Sequence, residues 1–269
     1  MRTLIEIKTE FNDYLDQTLP NRNDLEKGIR YAMLEGGSRF RPLLFLSIIE
    51  TFGLDASRYF SIAVAIEMVH ASSLVHDDLP EMDNDEIRRG IPTVHKAFGH
   101  PQALLIGDAM LANSFQYIAM NKLLLETEKV SLIRALSEAS GSEGLVLGQY
   151  NELASEKPSL DELNAIHHLK TGKMFELSVR AAMIVSHRRG NNGEWLYFSS
   201  LLGVLYQIKD DFMDFKENHD QKIETYVSIV GVDRTKEIYR EKRDSLFKLV
   251  KQLDSNGSLL KDLLETMFL

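Results

Sequence analysis

Apolar residues recur every three or four positions along most of the chain, and several stretches contain almost no polar residue. This spacing is typical of helices that bury one or more faces against other helices. It predicts helices at residues 43–52, 59–74, 103–125, 132–147, 160–185, 194–215 and 235–253. We find no convincing run of alternating apolar and polar residues, so the predicted class is all-α, with long helices.

Two predicted helices, which contain SIAVAIEMVHASSLV and FSSLLGVLYQI, are apolar nearly all round. Such helices are expected to lie centrally, surrounded by others. Ser159 and Glu162 form a capping box at the start of another helix. No linker rich in Pro, Gly or Ser divides the 269 residues. We therefore expect residues 1–269 to form a single domain.

Composition narrows the possible functions. The net charge of −9 argues against a nucleic-acid partner, and the absence of cysteine excludes a disulfide framework and a thiolate metal site. The N-terminal sequence MRTLIEIKTEF lacks the apolar core of a secretory signal, and apolar runs such as LLGVLYQI are too short to cross a membrane. We expect a cytoplasmic protein without stable membrane insertion.

Both central helices end in aspartates, in the sequences LVHDDLPEMD and QIKDDFMD. The spacing of Asp210, Asp211 and Asp214 places them on one helical face. Like charges repel there unless a cation lies among them. The alternative is an exposed acidic face paired with nearby lysines.

The first cluster contains a proline. Asp77 and Asp83 are six residues apart, which is the wrong spacing for one face of a regular helix. Pro80 lies between them and can distort the chain so that Asp83 returns toward Asp77. Arg88 and Arg89 follow within a few residues.

These residue types together favour a magnesium–diphosphate site. Carboxylates supply the oxygen ligands that Mg²⁺ prefers, and arginines contact phosphate oxygens as bidentate forks. One alternative is that the carboxylates and arginines simply pair with one another. Another is an HD-type phosphohydrolase with metal ligands from His70, His76-Asp77 and His95. That alternative leaves the second aspartate cluster, the arginine pair and GGSRFRP without a role.

Five segments together resemble the trans-isoprenyl diphosphate synthase family. GGSRFRP, DDLPEMDNDEIRRG, HKAFG, LKTGK and YQIKDDFMD occur in that family's order and approximate spacing, over about residues 25–250. The two extra residues in the first aspartate segment resemble the bacterial short-chain farnesyl diphosphate synthases and the plant-type geranylgeranyl diphosphate synthases. The resemblance implies the isoprenoid synthase fold, a single all-α bundle around a deep central cavity, usually as a homodimer with three Mg²⁺ ions.

The resemblance also implies an activity. Such a trans-prenyltransferase (geranyltranstransferase) condenses isopentenyl diphosphate head-to-tail with dimethylallyl or geranyl diphosphate, here to farnesyl diphosphate. Its metal ligands correspond to Asp77, Asp78, Asp83, Asp210, Asp211 and Asp214. Its catalytic contacts to the allylic diphosphate correspond to Arg88 and Lys170. Its other substrate-binding residues correspond to Gly37, Ser38, Arg41, His70, Arg89, Thr171, Tyr206 and Gln207.

Product length depends on side chains below the first aspartate cluster. Ser72 and Ser73 lie about one helical turn below Asp77, where a large residue in this family stops growth early. With two serines there, the next candidate floor residues are Met68 and Phe115. We favour a C15 product, and a geranylgeranyl (C20) product remains the alternative. The structural alternative is that both serines only bond to helix carbonyls.

Three features depart from the family pattern. Ser38 replaces a usual lysine, only FKENHDQKIE follows Asp214 before Thr225, and the chain ends in ETMFL without a basic tail. Lys216 or Lys222 could supply a missing charge. A catalytically weak regulatory subunit of the same fold is the second alternative, although all six aspartates are present. In GGSRFRP we expect Arg41 to bind substrate and Arg39 to be structural.

Overall fold

Helices account for nearly all the regular structure that is described. The computed structural model describes residues 2–155, 157–187, 192–216, 225–254 and 259–269, except for the side chains of 192 and 214–216. The chain divides into two compact units, Met1–Ile133 and Arg134–Leu269. The prediction of one domain over 1–269 is not tested by this division and stays a prediction.

The first unit carries most of the first seven helices. These are α1 Leu4–Thr18, α2 Asp24–Leu34, α3 Phe40–Thr51, α4 Phe60–Asp77, α5 Val94–Phe98, α6 His100–Ala119 and α7 Glu126–Ser140, the last of which continues into the second unit. A 3₁₀ turn, Ala56–Tyr59, precedes α4. Helix α4 is buried along almost its whole length and packs mainly against α6. The first aspartate cluster therefore begins at the end of a core helix.

The second unit continues with helical segments. They are α8 Leu145–Ala154, α9 Leu160–His167, α10 Lys173–Val185, α11 Asn192–Lys216, α12 Tyr226–Val230, α13 Val232–Leu253 and α14 Leu259–Phe268. A π-helical turn, His168–Gly172, joins α9 to α10. The capping box of Ser159 and Glu162 opens α9, which confirms that prediction.

Several predicted boundaries were wrong for identifiable reasons. The helix predicted at 132–147 is two helices, because the sequence from Gly141 to Gly144 breaks it. A Cβ on Gly144 would lie 2.1 Å from the Ala139 carbonyl oxygen, so this close turn requires glycine. Helix α6 ends at Ala119 rather than 125. Helices α1, α2 and α14 were not predicted, although their amphipathic sequences pack apolar faces inward.

A short antiparallel hairpin was also missed. Strands β1, Ile87–Arg88, and β2, Ile91–Pro92, flank a two-residue turn. Its central residues, Arg89 and Gly90, both have positive φ, 57° and 82°, as in the type I′ turns that join antiparallel strands. Strands this short carry no recognisable alternation, so sequence periodicity could not reveal them.

One sequence expectation about membranes needs correction. The segment Ala56–Asp77 is long and apolar enough to cross a membrane, by length and composition alone. However, 72% of its apolar window is buried inside the protein. A core helix of a folded bundle is buried to this extent. The segment is therefore only weak evidence for a membrane-spanning helix.

Candidate functional site

The first aspartate cluster is a turn that folds back on the end of α4. The Asp83 backbone N–H donates to the Asp77 carbonyl at 2.9 Å, and the Asn84 N–H donates to the Leu79 carbonyl at 3.1 Å. Asn84 takes positive φ, 55°, which asparagine tolerates. The turn around Pro80 therefore returns Asp83 to Asp77, as the sequence predicted. The Asp77 side chain is half-buried and Asp83 is exposed.

Arg88 holds two carboxylates of the same cluster. Its guanidinium donates to Asp78 Oδ1 at 2.6 Å and to Asp85 Oδ2 at 3.2 Å. Asp78 is buried, and this burial raises the pKa of its carboxyl although Arg88 opposes the shift. The carboxylates and arginines thus do pair in part, which was the simpler alternative. Asp85 was not predicted as a site residue, and only its place in the acidic run pointed to it.

The hairpin tip brings Arg89 to the glycine pair. Arg89 Nη1 donates to the Gly36 carbonyl at 3.4 Å, a long hydrogen bond. A Cβ on Gly37 would lie 2.7 Å from the Arg89 guanidinium carbon. Gly36 and Gly37 also have positive φ, 74° and 95°. Because the glycines have no Cβ, the Arg89 guanidinium can lie directly against the backbone. The role of Gly37 is therefore to leave room for Arg89.

A cationic group forms where α3 and α4 meet. Arg41 is buried, and its Nη1 lies 3.2 Å from His70 Nε2. Loss of hydration and the charges of Arg41, Arg89, Arg88 and Arg39 hold the pKa of His70 well below its ordinary value. The imidazole is therefore neutral at pH 7, so its Nε2 can accept a hydrogen bond from Arg41. An anion such as a diphosphate would relieve the repulsion among these cations.

Arg39 has the structural role expected for it. Its Nη1 forms a 2.8 Å ion pair with Glu67 Oε1, and the two side chains are 4% and 2% exposed. Arg39 also donates to the Met33 carbonyl at 2.5 Å, and it adopts a left-handed backbone conformation at the start of α3. This pair ties the GGSRFRP loop to the middle of α4. Glu67 was missed, although a single acid in an otherwise apolar helix signals a buried partner.

Ser38 lies on the surface of that loop. Its Oγ accepts a hydrogen bond from the Phe40 N–H at 3.3 Å. The hydroxyl thus caps the local turn and brings no positive charge.

In the second unit, the end of α11 is linked to the start of α12. Asp211 is 2% exposed and accepts a hydrogen bond from Gln207 Nε2 at 3.2 Å and another from the Tyr226 backbone N–H at 2.7 Å. The carboxylate therefore binds one of the N–H groups at the beginning of α12, where negative charge is favoured. Asp210 is half-buried. The side chain of Asp214 lies outside the described residues, as do Lys222 and the side chain of Lys216.

Lys170 and Thr171 lie in the π-helical turn. Such turns are rare and frequently mark functional sites. Lys170 forms an ion pair with Glu152 of α8, and the Thr171 hydroxyl donates to Gln207 Oε1 at a long 3.4 Å. Tyr206 packs against Phe175, with ring centroids 5.4 Å apart. Glu152 is a further residue that the sequence analysis missed.

Of the four residues predicted to set product length, three lie on α4 and one lies on α6. The Ser72 hydroxyl donates to the Val69 carbonyl at 2.8 Å, and the Ser73 hydroxyl to the His70 carbonyl at 2.9 Å. Met68 is buried on this helix. Phe115 of α6 is half-buried. The serines therefore do bond to helix carbonyls, and they also leave the small side-chain volume that the sequence suggested.

We tested whether the donor set suits Mg²⁺. Within the described ranges, no three acidic or histidine side chains are grouped as a metal cage. Mg²⁺ in phosphate-processing sites takes one or two carboxylates and completes its shell with water and phosphate oxygens. A backbone hydrogen bond places Asp77 and Asp83 in one turn, so either residue can supply such a carboxylate. The residues present therefore fit magnesium that arrives with a diphosphate.

Comparisons with known proteins show the family and the fold of this chain. The sequence profile of the polyprenyl synthetase family matches residues 22–265. The farnesyl diphosphate synthase of Micrococcus luteus is 36% identical over 264 residues, which cover 93% of this chain and 90% of that protein.

Solved structures give the same result. An FPP/GFPP synthase from Zymomonas mobilis superimposes with a TM-score of 0.91 at 30% identity, covering 99% of this chain and 97% of that one. A geranyltransferase from Helicobacter pylori, solved with magnesium and isoprenyl diphosphate, has a TM-score of 0.87 at 28% identity and covers 98% and 94% of the two chains. The all-α isoprenoid synthase fold predicted from the sequence is thereby confirmed, and the chain belongs to the polyprenyl synthetase family.

Proposed function

We propose that this protein is a short-chain trans-prenyltransferase that makes farnesyl diphosphate from isopentenyl diphosphate and an allylic diphosphate. The observation that carries the proposal is the return of Asp83 to Asp77, beside a group of arginines that range from buried to exposed. Carboxylates for a metal and cations for phosphate thus stand on neighbouring elements of one unit. Similarity to farnesyl diphosphate synthases over most of the chain supports the assignment.

The reaction breaks the carbon–oxygen bond of the allylic diphosphate and forms a carbon–carbon bond to isopentenyl diphosphate. Diphosphate leaves, and a proton is lost from the new product. Magnesium, when bound, supplies positive charge for the leaving diphosphate. We assign its binding to Asp77, Asp83, Asp210 and Asp214, and we propose three ions.

The protein's own groups bind and orient the two diphosphates. Arg41, Arg89 and neutral His70 offer hydrogen-bond donors and positive charge to isopentenyl diphosphate. Arg88 and Lys170 are assigned to the allylic diphosphate. Both now pair with carboxylates, so substrate binding must exchange or share those pairs.

Asp78 and Asp211 take a supporting place in this proposal. Each is buried, and each accepts hydrogen bonds that fix another part of the site. Asp78 orients Arg88, and Asp211 holds the start of α12 and Gln207. We therefore assign them to positioning rather than to direct metal binding.

A C20 product is the second candidate, because Ser72 and Ser73 leave room below the first aspartate cluster. Buried Met68, one turn deeper on α4, is the side chain we assign to the floor. Its moderate size is compatible with the C15 product that we favour.

Assembly and location are also proposals. We propose a homodimer in the cytoplasm. Val146, Tyr150 and Leu153 are 54%, 69% and 55% exposed and follow one face of α8, and an exposed apolar stripe of this kind favours association. Sedimentation velocity would show twice the 30.7 kDa chain mass.

The test compares release of diphosphate by the wild type and by Asp77→Asn, with Asp233→Asn as the control. The Asp233 side chain is 99% exposed at the start of α13 and has no role in the proposal. We expect Asp77→Asn to lower turnover by about 10³-fold or more, since it removes a ligand for the magnesium that would stabilise the leaving diphosphate. Equal turnover of both variants would contradict the assignment.

A further inference from the structure

The hairpin that carries Arg88 and Arg89 is attached to α2 through a tyrosine. The Tyr31 hydroxyl donates a hydrogen bond to the Pro92 carbonyl at 2.7 Å. Pro92 lies opposite Ile87 in the hairpin and, as a proline, has no N–H to donate. The bond therefore ties the second strand of the hairpin to a helix, which two strands of two residues cannot do by pairing with each other.

Packing directs the Tyr31 hydroxyl toward this carbonyl. The Tyr31 ring is half-buried and lies edge-on to Phe98 of α5, with ring centroids 5.4 Å apart and an interplanar angle of 71°. Edge-to-face contact is a preferred arrangement of two aromatic rings. The segment HKAFG, to which the proposed function assigns no role, supplies this contact through its phenylalanine.

Close packing does not by itself fix the position of the hairpin. A small pocket of about 40 Å³ remains between the hairpin, α2 and α4, and Tyr31, Val75 and Arg89 are among its lining residues. Protein interiors without such gaps are held in place by contacts on all sides. A directional hydrogen bond therefore has more influence on the position of this hairpin.

The two arginines of the hairpin depend on this attachment to different degrees. Asp78 and Asp85 hold the Arg88 guanidinium directly, at 2.6 Å and 3.2 Å. Arg89 instead makes a long hydrogen bond of 3.4 Å to the carbonyl of Gly36, in the loop that follows α2. A shift of the hairpin relative to α2 should therefore displace Arg89 more than Arg88.

We propose that Tyr31 is a positioning residue for isopentenyl diphosphate, which holds the hairpin where Arg89 can bind that substrate. This inference rests on the proposed function, because it takes the role of Arg89 from it. Tyr31 acts through the hairpin and does not itself contact the diphosphate. A guanidinium already held in place loses less freedom when it binds an anion, so removal of the bond should weaken binding.

The test is isothermal titration calorimetry of the full chain with isopentenyl diphosphate, in EDTA and without an allylic diphosphate, so that no product forms. Tyr31→Phe keeps the ring and removes the hydrogen bond. Tyr239→Phe is the matched control, because it removes a similar bond, from the Tyr239 hydroxyl to the Phe268 carbonyl at 3.3 Å. We expect Kd to rise about threefold to tenfold for Tyr31→Phe and to change by less than about twofold for the control.

A second pair of variants separates positioning from a general loss of structure. If Tyr31 acts through Arg89, adding Tyr31→Phe to Arg89→Gln should change Kd by less than about twofold. Steady-state kinetics give an independent measure. For Tyr31→Phe we expect a higher KM for isopentenyl diphosphate, with kcat and the KM for the allylic diphosphate nearly unchanged, because Arg88 keeps its two carboxylate partners.

The possible failures are distinguishable. Equal Kd values for Tyr31→Phe and Tyr239→Phe would overturn the role of Tyr31 and leave the proposed function intact. A full effect of Tyr31→Phe in the Arg89→Gln background would also overturn it, since Tyr31 would then act through another group. No binding of isopentenyl diphosphate by the wild type would contradict the assignment of Arg89, and with it both the proposed function and the role of Tyr31.

Discussion

Single charged residues in apolar segments of the sequence form ion pairs that help to build this site. Glu67 is the sole acid in SIAVAIEMVHASSLV, and it pairs with Arg39 inside the protein. The sequence predicted a structural Arg39 but not its partner, because residues 28 positions apart have no local pattern that joins them. Similarly, only the structure identified Glu152 as the partner of Lys170, 18 positions away in the chain.

The Arg39–Glu67 pair gives a stability prediction. Glu67→Ala leaves a buried, uncompensated guanidinium, so we expect a loss of about 3–5 kcal/mol in the free energy of unfolding. The double variant Arg39→Met/Glu67→Met should lose less than Glu67→Ala, because it buries no lone charge. Glu126→Ala is the control and should change little, because the Glu126 side chain is 85% exposed. Urea denaturation measures all three, and equal losses for Glu67→Ala and the control would contradict the account.

Variants of Asp210 and Asp211, the two adjacent aspartates of the second cluster, should differ in how their turnover depends on Mg²⁺ concentration. We expect Asp210→Asn to raise the Mg²⁺ concentration for half-maximal turnover by about tenfold or more, since a neutral amide is a poorer ligand for a hard cation. Asp211→Asn should leave that concentration within about twofold while lowering kcat, because the Tyr226 N–H loses its charged acceptor. A similar Mg²⁺ shift for both variants would make Asp211 a metal ligand.

At the scale of elements, periodicity located most long helices and missed features that depend on packing. The π-helical turn at His168–Gly172 has no apolar period of its own, and LKTGK only marks its position. A glycine on a neighbouring helix explains the position of this turn better. A Cβ on Gly148 of α8 would lie 2.3 Å from the Lys170 backbone nitrogen, so α8 approaches the turn closely.

Gly148→Ala should therefore disturb both stability and the position of Lys170. The added methyl would meet the Lys170 backbone, which cannot move aside as a flexible side chain can. We therefore expect a loss of about 1–3 kcal/mol in the free energy of unfolding. We also expect a lower kcat/KM for the allylic diphosphate, because Lys170 is displaced. Gly193→Ala is the matched control, because its added methyl meets nothing within 4 Å. Denaturant titration and steady-state kinetics provide the measurements. Equal behaviour of the two variants would show that α8 can move away without cost.

The end of α9 should make stability depend on pH through its last residue, His167. Burial lowers the pKa of this histidine to about 3 from the ordinary 6.5. Between those pH values the unfolded chain binds a proton that the folded chain does not, so stability falls as pH decreases from 6.5 toward 3. Removing the histidine removes that contribution.

The corresponding variant is His167→Gln. We expect its loss of unfolding free energy between pH 7 and pH 5.5 to be about 1 kcal/mol smaller than that of the wild type. Denaturant titrations at the two pH values measure the difference. An identical loss in both proteins would mean that His167 becomes protonated in the folded state.

For the whole molecule, the all-α class and the family followed from the sequence because several motifs occur jointly and in order. Helix periodicity alone would have given only a helical protein. The two-residue hairpin, the return of Asp83 and the buried ion pairs depend on tertiary packing, and of these only the return of Asp83 was predicted, from Pro80.

The most direct measurement of the central claim is the product formed from radiolabelled isopentenyl diphosphate. The wild type is incubated with Mg²⁺ and either dimethylallyl or geranyl diphosphate, and the dephosphorylated products are separated by chain length. We predict farnesol as the main product, and none when EDTA replaces Mg²⁺. A mainly C20 product would contradict the C15 assignment, and no allylic product from either primer would contradict the proposed prenyl transfer itself.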